Sequence, residues 1–308
     1  MSTIAEGRRE RIDALGFDYA AQEWMLVERC NLCGASAFTV LTHRDRYGFP
    51  VTASACDRCG LVFLDPVMSA AAYSRFYAGT YRPLVSAYHG RLIDARTIQG
   101  EQGEYAADRG DLLAPYLDGR GYRTMLDIGG STGIVAGALA ERFGLNATVI
   151  DPAPLEAAEA QALGIETIEG LVEEVDLGGR RFDVVIVCQT VDHLLDVAGT
   201  LRRIRELLTD GGILFIDIVD FRAAYLRNWS VEEAVKIDHP YYFTEATMAA
   251  YLRRSGFVVV RTDYAADHLH CSYVARPGAV DPEALPAERD VRDLLREVRF
   301  VQNASRTE

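Results

Sequence analysis

Long apolar runs are missing from this sequence. Nothing in it approaches the roughly 20 consecutive apolar residues that cross a bilayer, and Met1 to Arg11 is too polar for a secretory signal. No membrane association is therefore expected, and the chain reads as cytoplasmic. Positive charge is also short: 32 Lys and Arg stand against 45 Asp and Glu, a formal net charge of −13. That balance argues against the broad basic field a nucleic-acid surface needs. What remains is ordinary for a globular protein, with 49% hydrophobic and 25% charged residues in a 308-residue chain, long enough for about two domains.

Cysteine is sparse but unevenly placed. Of six, four form two Cys-x-x-Cys pairs, Cys30-Asn-Leu-Cys33-Gly34 and Cys56-Asp-Arg-Cys59-Gly60. Each turn brings two thiolates to one side, and the glycine that follows permits a tight backbone curl, so the two together complete a tetrahedron around Zn²⁺. All four positions are filled by protein, the pattern of a structural metal. In a reducing compartment this outranks the alternative of disulfides or redox pairs. Phe38–Leu41 and Pro50–Ser54 between the knuckles alternate as short strands of a ribbon.

The rest of the chain is organised around Thr124-Met-Leu-Asp-Ile-Gly-Gly-Ser-Thr-Gly-Ile-Val-Ala136. An apolar strand ending at Ile128 meets a glycine-rich turn and then a helix to about Phe143. Such a turn lets backbone approach a ligand at a helix N-terminus. The acid at Asp127 selects among ligands, because it repels a pyrophosphate and attracts a ligand bearing an ammonium and a sulfonium. The next strand ends at Asp151, placed to accept both hydroxyls of a ribose. S-adenosylmethionine fits this frame better than a dinucleotide does.

Asp127-x-Gly129-x-x-x-Gly133 followed by Asp151 resembles the cofactor site of class I S-adenosylmethionine-dependent methyltransferases, whose sheet is Rossmann-like. Ser131 stands where that family usually has a glycine. Together with the zinc ribbon and Phe76-Tyr-Ala-Gly-Thr-Tyr-Arg-Pro83, the pattern resembles the zinc-ribbon methyltransferases of sugar and polysaccharide biosynthesis. The fold expected is α/β: a Rossmann-like methyltransferase sheet (121–276) behind a zinc ribbon (1–66) and a helical acceptor cap (67–120), closed by a C-terminal helix and tail (277–308). The cofactors expected are S-adenosylmethionine and structural zinc. A small-molecule acceptor, a sugar or nucleotide sugar, is the partner implied.

The residues that would hold the donor are Asp127, Gly129, Gly130, Ser131, Gly133, Asp151, Leu171 after the third strand, and Gln189. Gln189 follows Phe182–Cys188, an apolar strand buried on both faces. Just beyond stand Asp192 and His193. An imidazole there takes a proton from an acceptor and a neighbouring carboxylate raises its basicity, and the related sugar enzymes carry an acid–His pair at this location. The plainer alternative is a histidine that only packs. Tyr77, Tyr81 and Arg82 on the cap, and His239 and Tyr241 beyond a lid expected at 220–240, are the acceptor-side candidates. Residues 84–119 read as helix. Val291, Leu294, Leu295 and Val298 recur on one helix face that docks on the body or on a second copy, as in a homodimer, and the last polar residues are expected to fray. The alternatives are an RNA or protein methyltransferase that uses the ribbon for recognition, and a binding protein that keeps the fold without turnover.

Overall fold

The computed structural model describes residues 3–305, so the end of the tail expected to fray lies outside the described residues. The N-terminal part runs α1 (Thr3–Asp13), β1 (Trp24–Met25), β2 (Phe38–Arg44), β3 (Pro50–Cys56), β4 (Val62–Leu64), β5 (Val67–Met68), α2 (Ala70–Gly79), α3 (Tyr81–His89) and α4 (Gln99–Leu117). Then follow β6 (Thr124–Ile128), α5 (Ile134–Phe143), β7 (Asn146–Asp151), α6 (Pro154–Ala162), β8 (Glu166–Glu169), β9 (Phe182–Val187), α7 (Val197–Leu207) and β10 (Leu208–Val219). The chain continues with α8 (Phe221–Asn228), β11 (Tyr241–Tyr242), α9 (Glu245–Arg254), β12 (Phe257–Tyr264), β13 (His270–Pro277) and α10 (Glu288–Ser305).

Seven strands form the main sheet in the order β8-β7-β6-β9-β10-β13-β12, parallel from β8 to β10 and with β13 antiparallel to both neighbours. The central parallel strands β6 and β9 are mostly apolar and buried because helices cover both faces, whereas the edge strand β8 is polar and more exposed. On one face Leu113 of α4 and Leu139 of α5 pack with Met125, Val184 and Phe215. On the other, Leu201 and Ile204 of α7 and Tyr251 of α9 pack with Leu126, Val185 and Leu214. Strand order reverses between β6 and β9, which opens a crevice at their carboxyl ends, where sheets of this kind bind ligands. The expected Rossmann-like α/β sheet is present.

The ribbon β2-β3-β4 is antiparallel and gains β11 from the far end of the chain as its fourth strand. It has no separate core on its metal side: Cys30, Cys56, Cys59, Leu61 and Phe63 share one apolar cluster with Leu126, Ile128 and Val187 of the main sheet. The helix expected over 84–119 is two helices, α3 and α4, because Gly90 caps α3 in the left-handed region at φ 69°. The segment expected as an acceptor lid is instead largely ordered against the body. Asp220 caps α8 by accepting from Ala223 N–H, and Tyr225 is buried with its hydroxyl donating to Glu297. Asp210-Gly-Gly212 lies inside β10 at a break in its register with β9. The α10 face buries Leu294, Val298 and Val301 in one apolar cluster with Leu41 and Val51 of the same chain, and Val291 beside Gly60 of the ribbon. Among the described residues no helix is long and apolar enough to cross a membrane.

Candidate functional site

A cavity of about 580 Å³ opens at the carboxyl ends of β6, β7 and β9. Of the donor-side residues expected from sequence, Asp127, Gly129, Gly130, Ser131, Asp151, Leu171 and Gln189 line it. Gly133 does not. It caps α5 at φ 75°, and a Cβ there would come within 2.9 Å of Ala160 Cβ, so it serves the packing of α5 on α6. Gly129 has φ 71°, and a side chain on it would overlap Thr190; a Cβ on Gly130 would fall 2.7 Å from Asp127 Oδ2. Ser131 adopts φ 50°, the left-handed conformation that favours glycine, which accounts for the glycine usual at this place in the resembled family.

The two acids differ in their surroundings. Asp151 accepts from Ser131 N–H at 2.8 Å and from Ala153 N–H at 2.9 Å; burial lifts its pKa to about 6 against those bonds. Asp127 is fully buried, and neither of its carboxylate oxygens has a partner. Burial first, then the charges of Asp151 and Asp217, push it up to about 8. A carboxylate aimed at a cavity without a donor is costly unless a cationic ligand group completes it. That is the test for S-adenosylmethionine, and the residues fit: an acidic end, a glycine cradle with no room for side chains, and a second acid on the next strand.

Sequence reasoning missed what lies beneath this end. Asp217, fully buried in β10, accepts from Tyr105 Oη at 2.5 Å, Arg109 Nη2 at 3.1 Å and Gln189 N–H at 2.6 Å. These bonds hold Gln189 at φ 49°, another left-handed residue, at the mouth of the cavity. An acid isolated in Ile213-Leu-Phe-Ile-Asp-Ile218 was the available signal.

Tyr77, Tyr81, Arg82 and His193 line the opposite wall. Arg82 is not free for a phosphate, since its Nε lies 2.7 Å from the buried Glu156 carboxylate. Tyr77 and Tyr81 meet the His193 ring edge-on, with centroids 5.8 and 6.0 Å away. His193 Nδ1 lies 2.9 Å from the Asp238 carbonyl and 2.8 Å from Tyr77 Oη. A carbonyl only accepts, so Nδ1 carries the proton and Nε2 is the free acceptor. Burial, then the neighbouring His239, draws the pKa down to about 4, which keeps the ring neutral near pH 7.

The acid–His pair expected at Asp192 and His193 is joined differently. Asp192 Oδ2 lies 2.9 Å from His239 Nδ1, and the two are buried behind His193, whose ring sits 4.5 Å from that of His239. Neither Asp192, His239 nor Tyr241 lines the large cavity; all three border a much smaller pocket beside it. The Tyr241 hydroxyl donates to the Leu195 carbonyl at 3.1 Å. Their backs-to-the-wall position follows from β11 joining the ribbon, which fixes Leu64 N–H to the Pro240 carbonyl at 3.0 Å.

All six cysteines of the chain are free thiols, and the four of the ribbon, Cys30, Cys33, Cys56 and Cys59, each place a sulfur within 4.8 Å of the others. Cys30–Cys59 and Cys33–Cys56 are 3.5 Å apart. That is near the roughly 3.8 Å edge of a tetrahedron with 2.3 Å zinc–sulfur bonds. The two knuckles match: Gly34 N–H donates to Cys30 O and Gly60 N–H to Cys56 O, both at 2.8 Å, with φ 73° and 72°.

An open crevice at a strand-order reversal, a glycine cradle and two acids on adjacent strands define a nucleoside-binding α/β protein. The chain belongs to the methyltransferase-domain family, whose profile matches residues 98–262, and thereby to the class I S-adenosylmethionine-dependent methyltransferases. It is similar to the ubiquinone biosynthesis O-methyltransferase of Azorhizobium caulinodans, 29% identical over 149 residues that cover 43% of this chain and 58% of that protein. It is also similar to the protein of the same name from Methylobacterium nodulans, 35% identical over 102 residues, 30% of this chain and 39% of that protein. The chain thus spans about half the length of these curated relatives. Among solved structures it resembles mitomycin 7-O-methyltransferase MmcR, with a TM-score of 0.50 and 23% identity over 67% of this chain and 60% of that one. An O-methyltransferase family protein from Burkholderia thailandensis gives a TM-score of 0.50 at 16% identity, covering 67% and 62%. At these identities the structures speak for the fold alone.

Proposed function

We propose that this chain transfers the methyl group of S-adenosylmethionine to a hydroxyl of a small-molecule acceptor, with a sugar, nucleotide-linked or in a glycan, as that acceptor. The observation that carries the reading is one cavity with a partnerless buried carboxylate, Asp127, at one end and a neutral histidine, His193, at the other. When bound, the donor supplies an electrophilic methyl on a sulfonium. Asp127 takes the ammonium of its methionine end, Asp151 the ribose diol, and the Gly129–Ser131 backbone the close approach between them. His193 Nε2 receives the proton of the acceptor hydroxyl, while the Asp238 carbonyl and Tyr77 hold Nδ1–H and fix the ring. Leu194, Leu195 and Val85 line the acceptor side and exclude water there. The four ribbon cysteines hold a structural Zn²⁺.

The sugar reading rests on the cysteine ribbon and the Phe76-Tyr77…Tyr81-Arg82-Pro83 segment that walls the acceptor end. A phenolic acceptor is the second reading. It is favoured by relatives whose names place them in ubiquinone biosynthesis and by the two tyrosine edges beside His193. Incubation with S-adenosylmethionine and a panel of nucleotide sugars, free sugars and catechols, read by acceptor mass for one added CH₂, tests both. Absence of donor binding by calorimetry would end the proposal.

A further inference from the structure

One lysine occurs in the whole chain, Lys236; every other one of the 32 basic side chains is arginine. Its ammonium sits behind the acceptor wall, 3.1 Å from His239 Nε2. His239 Nδ1 in turn faces Asp192 at 2.9 Å, and its Nε2 is 3.4 Å from Asp238 Oδ2. Asp192 and Asp238 are buried, and the Oδ1 atom of each has no partner. Two buried carboxylates around one imidazole need a cation.

The segment that carries the lysine is pinned on its backbone from three directions. Val235 O and Ile237 N–H bond to Arg46 N–H and the Asp45 carboxylate of the ribbon. Ile237 O and Asp238 O accept from Tyr73 and Tyr77 of α2, and Tyr242 clasps both the N–H and the C=O of Lys236 itself. The backbone position of Lys236 is therefore set by the fold, and its Nζ reaches His239 from it.

An ammonium only donates, so His239 Nε2 must accept and Nδ1 must carry the proton toward Asp192. We propose that Lys236 is the built-in cation of this site, a positioning residue that locks His239 as the Nδ1–H tautomer on Asp192 and so braces His193 as a neutral proton acceptor. The inference rests on His193 being the base proposed above. An arginine is not equivalent there, because its planar fork delivers its donors in fixed directions where the ammonium is a compact point charge. Asp192, His193 and His239 could each offer a ligand atom to a metal within 4.8 Å of one another; the lysine supplies the positive charge in its place. The other titratable groups facing the network include Asp45, Arg46 and Tyr47 of the ribbon, Tyr73 and Tyr77 of α2, Tyr81 and His89 of α3, and Tyr242, all of which the substitutions leave unchanged.

The test reads nitrogen, not turnover. Long-range ¹H–¹⁵N spectra of the full chain labelled in histidine are recorded for wild type, Lys236→Met and Lys236→Arg at pH 7, with S-adenosylmethionine binding measured on the same samples. Wild type is expected to show His239 with Nδ1 protonated and Nε2 bare. Lys236→Met should show Nε2 protonated as well, because His239 is then the only cation left for two carboxylates, and Lys236→Arg a mixture of tautomers. The donor should bind all three. An unchanged His239 in Lys236→Met, a doubly protonated His239 in wild type, or paired shifts of His193 and His239 on adding Mg²⁺ or Zn²⁺ would each overturn the proposal. Lost donor binding in wild type would instead sink the methyltransferase reading, and a folded spectrum of Lys236→Arg guards against misfolding of Lys236→Met.

Discussion

Replacing Asp127 by asparagine should make the ligand-free protein more stable while removing its ability to hold the donor. The carboxyl is fully buried at the end of β6, neither oxygen has a partner, and its pKa stands at about 8 against 3.8 for the ordinary side chain. A folded-state value above the unfolded one means that the group favours folding fully below pH 3.8 and that this contribution is lost as pH rises toward 8. Between 3.8 and 7, at about 1.4 kcal/mol per pH unit, the loss comes to about 4 kcal/mol as a ceiling. Relaxation and water entry would leave roughly half of that, so Asp127→Asn should raise the melting temperature at pH 7 by about 5 °C. The gain should shrink at pH 5, where Asp127 is protonated in the fold and partly so in the unfolded chain. Donor affinity should fall about a hundredfold by calorimetry, because a buried charge pair loses one member. Wild type should release a proton on binding, visible as heat that varies with buffer. A variant that melts lower than wild type at pH 7, or one that binds the donor as tightly, would refute the role given to this carboxylate.

His193→Ala should lower kcat by roughly 10²- to 10⁴-fold with donor affinity intact; since the neutral form is lost only as pH falls through about 4, kcat of wild type at saturating donor and acceptor should stay flat from pH 8 down to about 5. Metal analysis should find one Zn²⁺ per chain and none after Cys33→Ser, and that variant should unfold earlier in urea by several kcal/mol because the thiols share a core with Phe63 and Leu126. Gly129→Ala should abolish donor binding, since a side chain there both meets Thr190 and sits at φ 71°, whereas Ser131→Gly should fold and bind as wild type, with stability changed by less than about 1 kcal/mol.

The donor half was legible because its chemistry is local in sequence. One strand, one turn and the tip of the next strand carry Asp127, Gly129 to Ser131 and Asp151, and all of them line the cavity. Gly133 falls in the same run yet faces α6, a distinction that depends on how two helices pack and that no spacing reveals. The acceptor side was legible only as a list of residue types. Asp192 and His193 are adjacent in sequence, but in a 3₁₀ turn adjacent side chains point apart, so the acid reaches a histidine 47 positions away while its neighbour faces the cavity. Arg82 read as an acceptor-side residue because its partner Glu156 lies 74 residues on, on a helix of the main sheet. Lys236 drew no attention in an acidic loop, although being the only lysine was visible in the composition.

The ribbon earns a place in the chemistry through geometry and not through recognition alone. Its last strand, β4, pairs with β11, and the peptide that hydrogen-bonds Leu64, at Pro240, is the one after His239. The same ribbon supplies Asp45 and Arg46 to the backbone of Val235 and Ile237, so the segment from Val235 to Tyr242 hangs on it at both ends. The cysteine cluster ties the end of β3 to the start of β4, through Cys56 at the end of β3 and Cys59 just ahead of β4. A shift of that ribbon by even about 1 Å would carry the Asp238 carbonyl away from His193 Nδ1, and displacements of that size cost reaction rate by about a hundredfold. The family profile begins at residue 98 and leaves the ribbon outside it. The part of this chain that lies outside the profile is therefore the part that holds the proposed base in place.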